Sequence, residues 1–191
     1  MRLKIISGPE NEPVEIAEVK KHINIDFDDD DDFLKSLIIA AREYAEDYTG
    51  IAYITRSYEL YRDCFPFGGT YMPLMRQPVQ SITKVEYITS LGDTLEFDST
   101  KYFLDPIEGS VVLNLGSLWP DTTLRPKAGV KITYVAGYAD NSKDVPMKDK
   151  QAMLLLIGHW YENREAVAIG NFKEVPMAVK SLLSIDRIIN I

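Results

Sequence analysis

The stretch that fixes the main features of this chain is Gln151-Ala152-Met153-Leu154-Leu155-Leu156-Ile157-Gly158-His159-Trp160-Tyr161-Glu162-Asn163-Arg164-Glu165. Its first half is apolar on nearly every side, and its second half is polar and aromatic. A helix that is apolar nearly all round is buried on several sides. The stretch therefore predicts a helix that packs against a sheet, against a second helix or against a neighbouring subunit. Val145-Pro146, just upstream, fits a helix start.

Two further helices are predicted in the N-terminal part of the chain. Pro13 suits a first turn, where a missing N–H costs nothing, and this helix should end near residues 22–24. The second should run from about Asp30 to Tyr48 and stop at Thr49-Gly50, because glycine accepts the left-handed conformation of a helix end. A last short helix is predicted to begin at Val175-Pro176.

The middle of the chain has the alternating pattern of β-strands instead. Leu91-Gly92-Asp93 is typical of a hairpin turn. The predicted fold is α+β, a helical bundle of two N-terminal helices plus C-terminal helices with an inserted antiparallel β region. We expect a single domain, residues 1–191, with a helical part at 10–50 and 144–191 and a β insertion at about 54–137. The alternating runs lie near residues 56–61, 82–89, 94–97, 102–104, 111–113 and 130–136.

The negative charge is concentrated in one segment. The net charge is −8, and residues 10–49 hold 13 acidic against 4 basic side chains. Tight binding to nucleic-acid phosphates needs clustered Lys and Arg, so the balance argues against it. No apolar run is long enough for a membrane span, and the N-terminus turns polar too early for a signal peptide. The single cysteine, Cys64, fits a reducing cytoplasm.

The run of aspartates at residues 26–32 invites a test for calcium binding. An EF-hand loop needs glycine at its sixth position and glutamate at its twelfth. Counting from Asp26 gives Asp31 and Leu37, and counting from Asp28 gives Phe33 and Ile39. Neither register fits. The run is interpreted as a solvated linker whose last aspartates cap the next helix.

The sequence favours neither catalysis nor a cofactor. His159 and Glu162 are spaced for one helix face, but a zinc site needs three or four ligands and no further partner has suitable spacing. There is no Gly-x-Ser-x-Gly elbow and no convincing Cys/His arrangement. We therefore expect no catalytic, cofactor-binding or metal residues.

The order of these features resembles a family of phage and prophage head–tail connector proteins associated with DNA packaging. The pieces that carry the resemblance are Pro13 to Ile23, Asp31-Asp32-Phe33-Leu34, Ile38 to Gly50, Pro78-Val79-Gln80-Ser81-Ile82, Val135-Ala136-Gly137-Tyr138, Val145-Pro146, His159 to Glu165, and Glu174-Val175-Pro176. The resemblance implies a non-enzymatic adaptor at the virion head–tail junction, made in the bacterial cytoplasm before assembly. It implies a cyclic homo-oligomer of about a dozen subunits below the portal protein, in contact with a downstream neck or tail protein, with DNA passing nearby without tight binding and no membrane.

Several residues are candidates for these contacts. The loop at 166–174 and the C-terminal tail are expected to dock, and the acidic linker is expected to face the DNA channel, where like charge would let DNA slide. Alternatives are a tail-completion or neck protein at another level, a nucleic-acid-binding packaging factor, and an enzyme of unknown type. The candidate interface residues are Arg164, Glu165, Asn171, Phe172, Trp119, Ile188 and Ile191, and the candidate channel-facing acids are Asp28, Asp29 and Asp30.

Overall fold

The computed structural model describes residues 1–138, 140–163 and 175–188. They fall into two compact units, which we call the β unit and the helical unit. The β unit consists of Met1–Pro9 and Thr55–Tyr138, and the helical unit consists of Glu10–Ile54 with residues 140–163 and 175–188. The α+β prediction is confirmed. The prediction of a single domain over residues 1–191 stays a prediction.

The helical unit contains four helices that pack on one another. Helix α3 buries Ala152, Met153, Leu156 and Ile157, whereas Leu154 and Leu155 are only half-buried. The apolar stretch that predicts burial all round is therefore buried mainly along one face. The helices are α1 (Ile16–Ile23), α2 (Asp31–Thr49), α3 (Met147–Glu162) and α4 (Met177–Ser184).

Two helix starts differ from the prediction. Helix α1 begins at Ile16 rather than Pro13, because the Glu15 backbone N–H is bound by the Glu18 carboxylate at 2.8 Å and closes the first turn there. Asp30 occupies the cap position of α2, but its side chain makes no capping hydrogen bond. The last linker aspartates therefore do not cap this helix through the Asp30 side chain, although Asp31 and Asp32 lie in its first turn, where acidic side chains favour the positive end of the helix. The C-terminal ends are as predicted, with Asn24 and Gly50 in the left-handed conformation.

The β unit contains two antiparallel sheets. The larger has the order β1-β2-β8-β4-β5, and the smaller has the order β3-β7-β6. Alternation along β2 and β8 buries Tyr58, Leu60, Ile132 and Tyr134 on one face. The strands are β1 (Arg2–Ile5), β2 (Arg56–Arg62), β3 (Tyr71–Pro73), β4 (Val79–Ile88), β5 (Thr94–Phe97), β6 (Tyr102–Asp105), β7 (Ser110–Leu113) and β8 (Val130–Ala136).

The hairpin predicted at Leu91-Gly92-Asp93 joins β4 to β5. The Thr89 N–H donates to the Asp93 carbonyl at 2.9 Å, and Gly92 has a φ of 96°, a conformation that favours glycine. Among the described residues, no helix is long and apolar enough to cross a membrane.

Candidate interface surfaces

The acidic linker lies between α1 and α2 and is only partly neutralised. Lys20 sits between Asp28 and Asp31, with its ammonium 2.5 Å from a carboxylate oxygen of each. The hydrogen bond from Lys20 lowers the pKa of Asp28, and the bonds to Asp28 and Asp31 raise the pKa of Lys20. Asp29 is exposed. Of the three predicted channel-facing acids, Asp29 therefore presents its charge most freely to solvent.

Asp30 has a different role from its neighbours. Its carboxylate accepts a 2.5 Å hydrogen bond from the hydroxyl of Tyr161, at the end of α3. The Tyr161 ring also lies 6.2 Å from that of Phe33 in the first turn of α2. Tyr161 thus ties the C-terminal end of α3 to the N-terminal end of α2. The sequence pairs neither Asp30 nor Phe33 with Tyr161, because their separation along the chain exceeds any local pattern.

The opposite end of α2 holds the last described residues of the chain. The Ile188 N–H donates to the Thr49 carbonyl at 2.7 Å, and the Arg187 guanidinium lies 4.9 Å from the centre of the Tyr48 ring. Asp186 forms an ion pair with Lys148 in the first turn of α3. The candidate interface residue Ile188 is half-buried in these contacts within its own chain.

Trp119 lies in an aromatic cluster of the β unit. Its ring stacks on Phe65 at 5.2 Å and lies 5.6 Å from Phe97, and its indole N–H donates to the Gly69 carbonyl at 2.8 Å. Trp119 is half-buried, so part of the ring remains available to a partner.

Apolar side chains are exposed at the loop tips of the β unit. Phe67 and Leu115 are fully exposed, and Leu118 is 80% exposed, next to Trp119 in sequence. Large exposed apolar side chains at loop tips are candidates for contact surfaces. No sequence pattern identifies these residues, because only the fold shows which apolar side chains remain exposed to solvent.

Buried charges in the helical unit are structural. Arg42, 4% exposed, binds the Glu12 carboxylate at 2.7 Å and the Glu46 carboxylate at 3.2 Å. Glu46 in turn accepts from the Tyr53 N–H at 3.2 Å. Asp149, in the first turn of α3, is 1% exposed, and burial raises the pKa of its carboxyl. Within the helical unit, these groups hold the helices and the segment directly after α2 in place.

The remaining candidate residues are not brought together by the described part of the chain. Arg164, Glu165, Asn171, Phe172 and Ile191 lie outside the described residues, as does the loop at 166–174. Within the described ranges, no group of three or more His, Cys, Asp and Glu side chains is arranged to hold a metal ion. Near the end of α3, the described partner of His159 is Asn163, which donates to its carbonyl at 2.7 Å.

Comparisons with known proteins point to one structural context. Residues 13–90 match the family model for phage gp6-like head–tail connector proteins. No curated protein matches the chain. Solved structures do, over its whole length.

The first is a chain from the neck of an empty gene transfer agent particle, computed with C6 symmetry. It has a TM-score of 0.82 and 22% identity, and the match covers 100% of this chain and 97% of that one. The second comes from the virion of a native gene transfer agent particle and the third from the neck of such a particle, computed with C12 symmetry. Both have a TM-score of 0.80 and 23% identity, with the same coverage. At this identity the likeness establishes a common fold.

Proposed function

We propose that this chain, whose residues 13–90 match the phage gp6-like head–tail connector family model, belongs to that family and is a structural adaptor at the head–tail junction of a tailed phage or prophage. The observation that carries the proposal is the family match across α1, α2 and the strands up to β4. The full-length fold shared with chains of gene transfer agent necks supports it. The work of such a protein is assembly, and it needs no catalytic residues.

The adaptor would act as a ring of about a dozen copies, in which identical head-to-tail contacts close on themselves. The C6 and C12 symmetries of the matched necks support this arrangement. One side of the ring would meet the portal protein, and the other would meet a downstream neck or tail protein. DNA would pass through the centre.

The acidic linker fits a position on the channel wall. Asp28, Asp29 and Asp30 lie in a segment that carries most of the net charge, and Asp28 and Asp29 are exposed. A wall of like charge repels the DNA phosphates at short range instead of binding them, so DNA is confined without being held. Lys20 and the Tyr161 hydroxyl keep the segment attached to the helices.

The docking contacts would come from two places. In the β unit, Trp119 and the exposed tips around it form an apolar surface for a neighbouring protein. In the helical unit, Ile188 leads into the C-terminal tail, and we assign Arg164, Glu165, Asn171, Phe172 and Ile191 to the same docking role. A subunit would remain soluble in the bacterial cytoplasm and order these segments when it meets the portal.

Native mass spectrometry, with and without the purified portal protein of the same phage or prophage, tests the proposal. A closed ring near twelve subunits, or a complex that forms only with portal, is the expected result. A chain that stays monomeric and does not bind portal would contradict it. Binding to an isolated downstream neck protein but not to portal would favour the alternative, a neck protein at another level.

A further inference from the structure

The larger sheet of the β unit has two edge strands, and no described strand pairs with the outer side of either one. In the order β1-β2-β8-β4-β5, strands β1 and β5 each have one described neighbour. An open edge presents unpaired N–H and C=O groups and is a template for another strand. Ile5 at the end of β1, Ile6 directly after it and Leu95 in β5 have exposed apolar side chains.

The hydrogen-bond pattern shows which backbone groups of β1 face outward. The Ile6 N–H donates to the Ser57 carbonyl at 3.0 Å, so Ile6 points toward β2. Residues in an antiparallel strand alternate between pointing toward the partner and away from it. Leu3 and Ile5 therefore direct their N–H and C=O groups away from β2, to the open edge.

The two edges carry opposite charge. β1 bears Arg2 and Lys4, and the segment of residues 93–98 around β5 bears Asp93, Glu96 and Asp98. Pairing β1 with another β1 would place basic side chains together, and pairing β5 with another β5 would place acidic ones together. Only β1 against β5 of a different copy joins opposite charges, and like charges opposite one another on paired strands are destabilising.

We propose that the outer edge of β1 binds the outer edge of β5 in a second copy of this chain, so that the sheet continues from subunit to subunit. The contact is head-to-tail, the kind that forms a ring when the rotation from copy to copy closes and that excludes a symmetric dimer. This inference rests on the ring assembly in the proposed function and specifies which surfaces of neighbouring subunits are in contact.

The direction of the strands agrees with this arrangement. Every neighbouring pair in the sheet is antiparallel, so β1 and β5, four steps apart, run in the same direction. The twist of the sheet turns β5 relative to β1 but does not change this shared sense. A pair formed between the two edges without reversing that sense is parallel.

Zero-length carbodiimide cross-linking of the wild-type ring tests the contact directly. Lys4 is 64% exposed and is the amine on β1, and Asp93, Glu96 and Asp98 are the carboxylates near β5. Within one subunit the two edges are about 19 Å apart, four strand spacings, so a link between them must join two copies. We expect Lys4 to be linked to one of these acids in the oligomer and not in the monomer. An oligomer linked only elsewhere would overturn the proposal.

A charge-reversal cycle gives an independent measurement. Arg2→Glu alone and Glu96→Lys alone should each weaken subunit association about threefold to tenfold at low salt, because each puts like charges across the contact. The double variant, Arg2→Glu with Glu96→Lys, should recover most of the loss. Lys180→Glu, a reversal at an exposed position of α4, is the control and should leave association unchanged.

The outcomes separate this inference from the proposed function. If all variants assemble with portal as the wild type does, the edge contact is wrong and the adaptor role stands. If the wild type neither forms a ring nor binds portal, the adaptor role fails and the edge contact fails with it. Loss in the single variants without recovery in the double variant would also contradict strand pairing between β1 and β5.

Discussion

Arg42 shows how a residue at a helical position that looks ordinary in the sequence becomes a structural charge. Its side chain is buried between Glu12 and Glu46, and the Glu46 side chain is only 3% exposed. We predict that Arg42→Ala lowers the free energy of unfolding by about 3–5 kcal/mol, because it leaves a buried carboxylate without its guanidinium. Urea unfolding monitored by circular dichroism measures the change.

Lys35→Ala on the same helix is the control: it breaks an exposed ion pair with Asp32 and should lower the free energy of unfolding by no more than about 1 kcal/mol. Equal losses would contradict the structural role of Arg42.

Asp149 makes stability depend on pH. Burial raises the pKa of its carboxyl above the usual value, so between the unfolded and the folded pKa the folded chain holds more protons than the unfolded one. The contribution of Asp149 to stability therefore falls as the pH rises above about 4. Asp149→Asn keeps an acceptor for the Tyr53 hydroxyl but carries no charge. The gain of Asp149→Asn over the wild type in the free energy of unfolding should increase from about pH 4 to about pH 7. A gain that does not change with pH would contradict the prediction.

Neither residue is identifiable from the sequence as buried. Asp149 looks like any acid in the first turn of a helix, where it favours the helix dipole. In the fold its carboxyl forms a hydrogen bond with the side chain of Tyr53, almost a hundred residues earlier in the chain. The interaction of Asp30 with Tyr161 was unforeseen for the same reason. Local patterns predict which residues can cap a helix or face a core. They do not predict which side chain from a distant part of the sequence will contact those residues.

At the scale of whole elements, the C-terminal end of α2 combines a glycine in the left-handed conformation with a contact to Ile188, the last described residue. Gly50 has a φ of 77°, and a Cβ there would lie 3.3 Å from the Ile188 carbonyl oxygen. We predict that Gly50→Ala costs about 1–3 kcal/mol in the free energy of unfolding and loosens the Ile188 contact. Hydrogen exchange of the Ile188 amide, which donates to Thr49, should become faster.

Gly92→Ala is the matched control for that substitution. Its φ of 96° is also positive, but a Cβ there meets nothing within 4 Å. It should show the backbone cost alone and leave the exchange of the Ile188 amide unchanged. If both variants speed this exchange equally, the contact between Gly50 and Ile188 is not what anchors the tail.

The elements that the sequence predicts well are those with a strong local period. Helix α2 and strands β4 and β8 have long repeats and clear stops, and their positions agree with the prediction to within a few residues. Strands β1 and β3 were not predicted, because each has at most four residues and exists only through pairing with a distant partner. The missed strand β1 forms the edge on which the proposed subunit contact depends.

At the scale of the whole molecule, charge distribution and family resemblance carry more information than any motif. The fold class follows from the alternation of helical and β patterns along the chain. The proposed interface does not, because a single sequence shows neither which strand lies at an edge nor which loop tips stay uncovered. Both are properties of the assembled sheet.

The acidic linker gives the last prediction. In an assembled ring, Asp28→Lys with Asp29→Lys changes the charge of each subunit by roughly four units at the proposed channel wall, and the change repeats around the ring. Asp31 remains to pair with Lys20, so the linker should keep its attachment. We expect the variant ring to bind duplex DNA, with an affinity that falls steeply as salt rises, whereas the wild-type ring does not. Electrophoretic mobility shifts over a salt series measure this.

The control is Glu108→Lys with Asp121→Lys, an equal change at exposed positions of the β unit. A charge facing a narrow channel acts on DNA from all sides of the ring at once, whereas the same charge on an outer surface acts from one side. The linker variant should therefore bind DNA more tightly than the control at every salt concentration. Equal binding by the two variants would place residues 28–30 away from the channel and leave confinement of DNA to some other part of the ring.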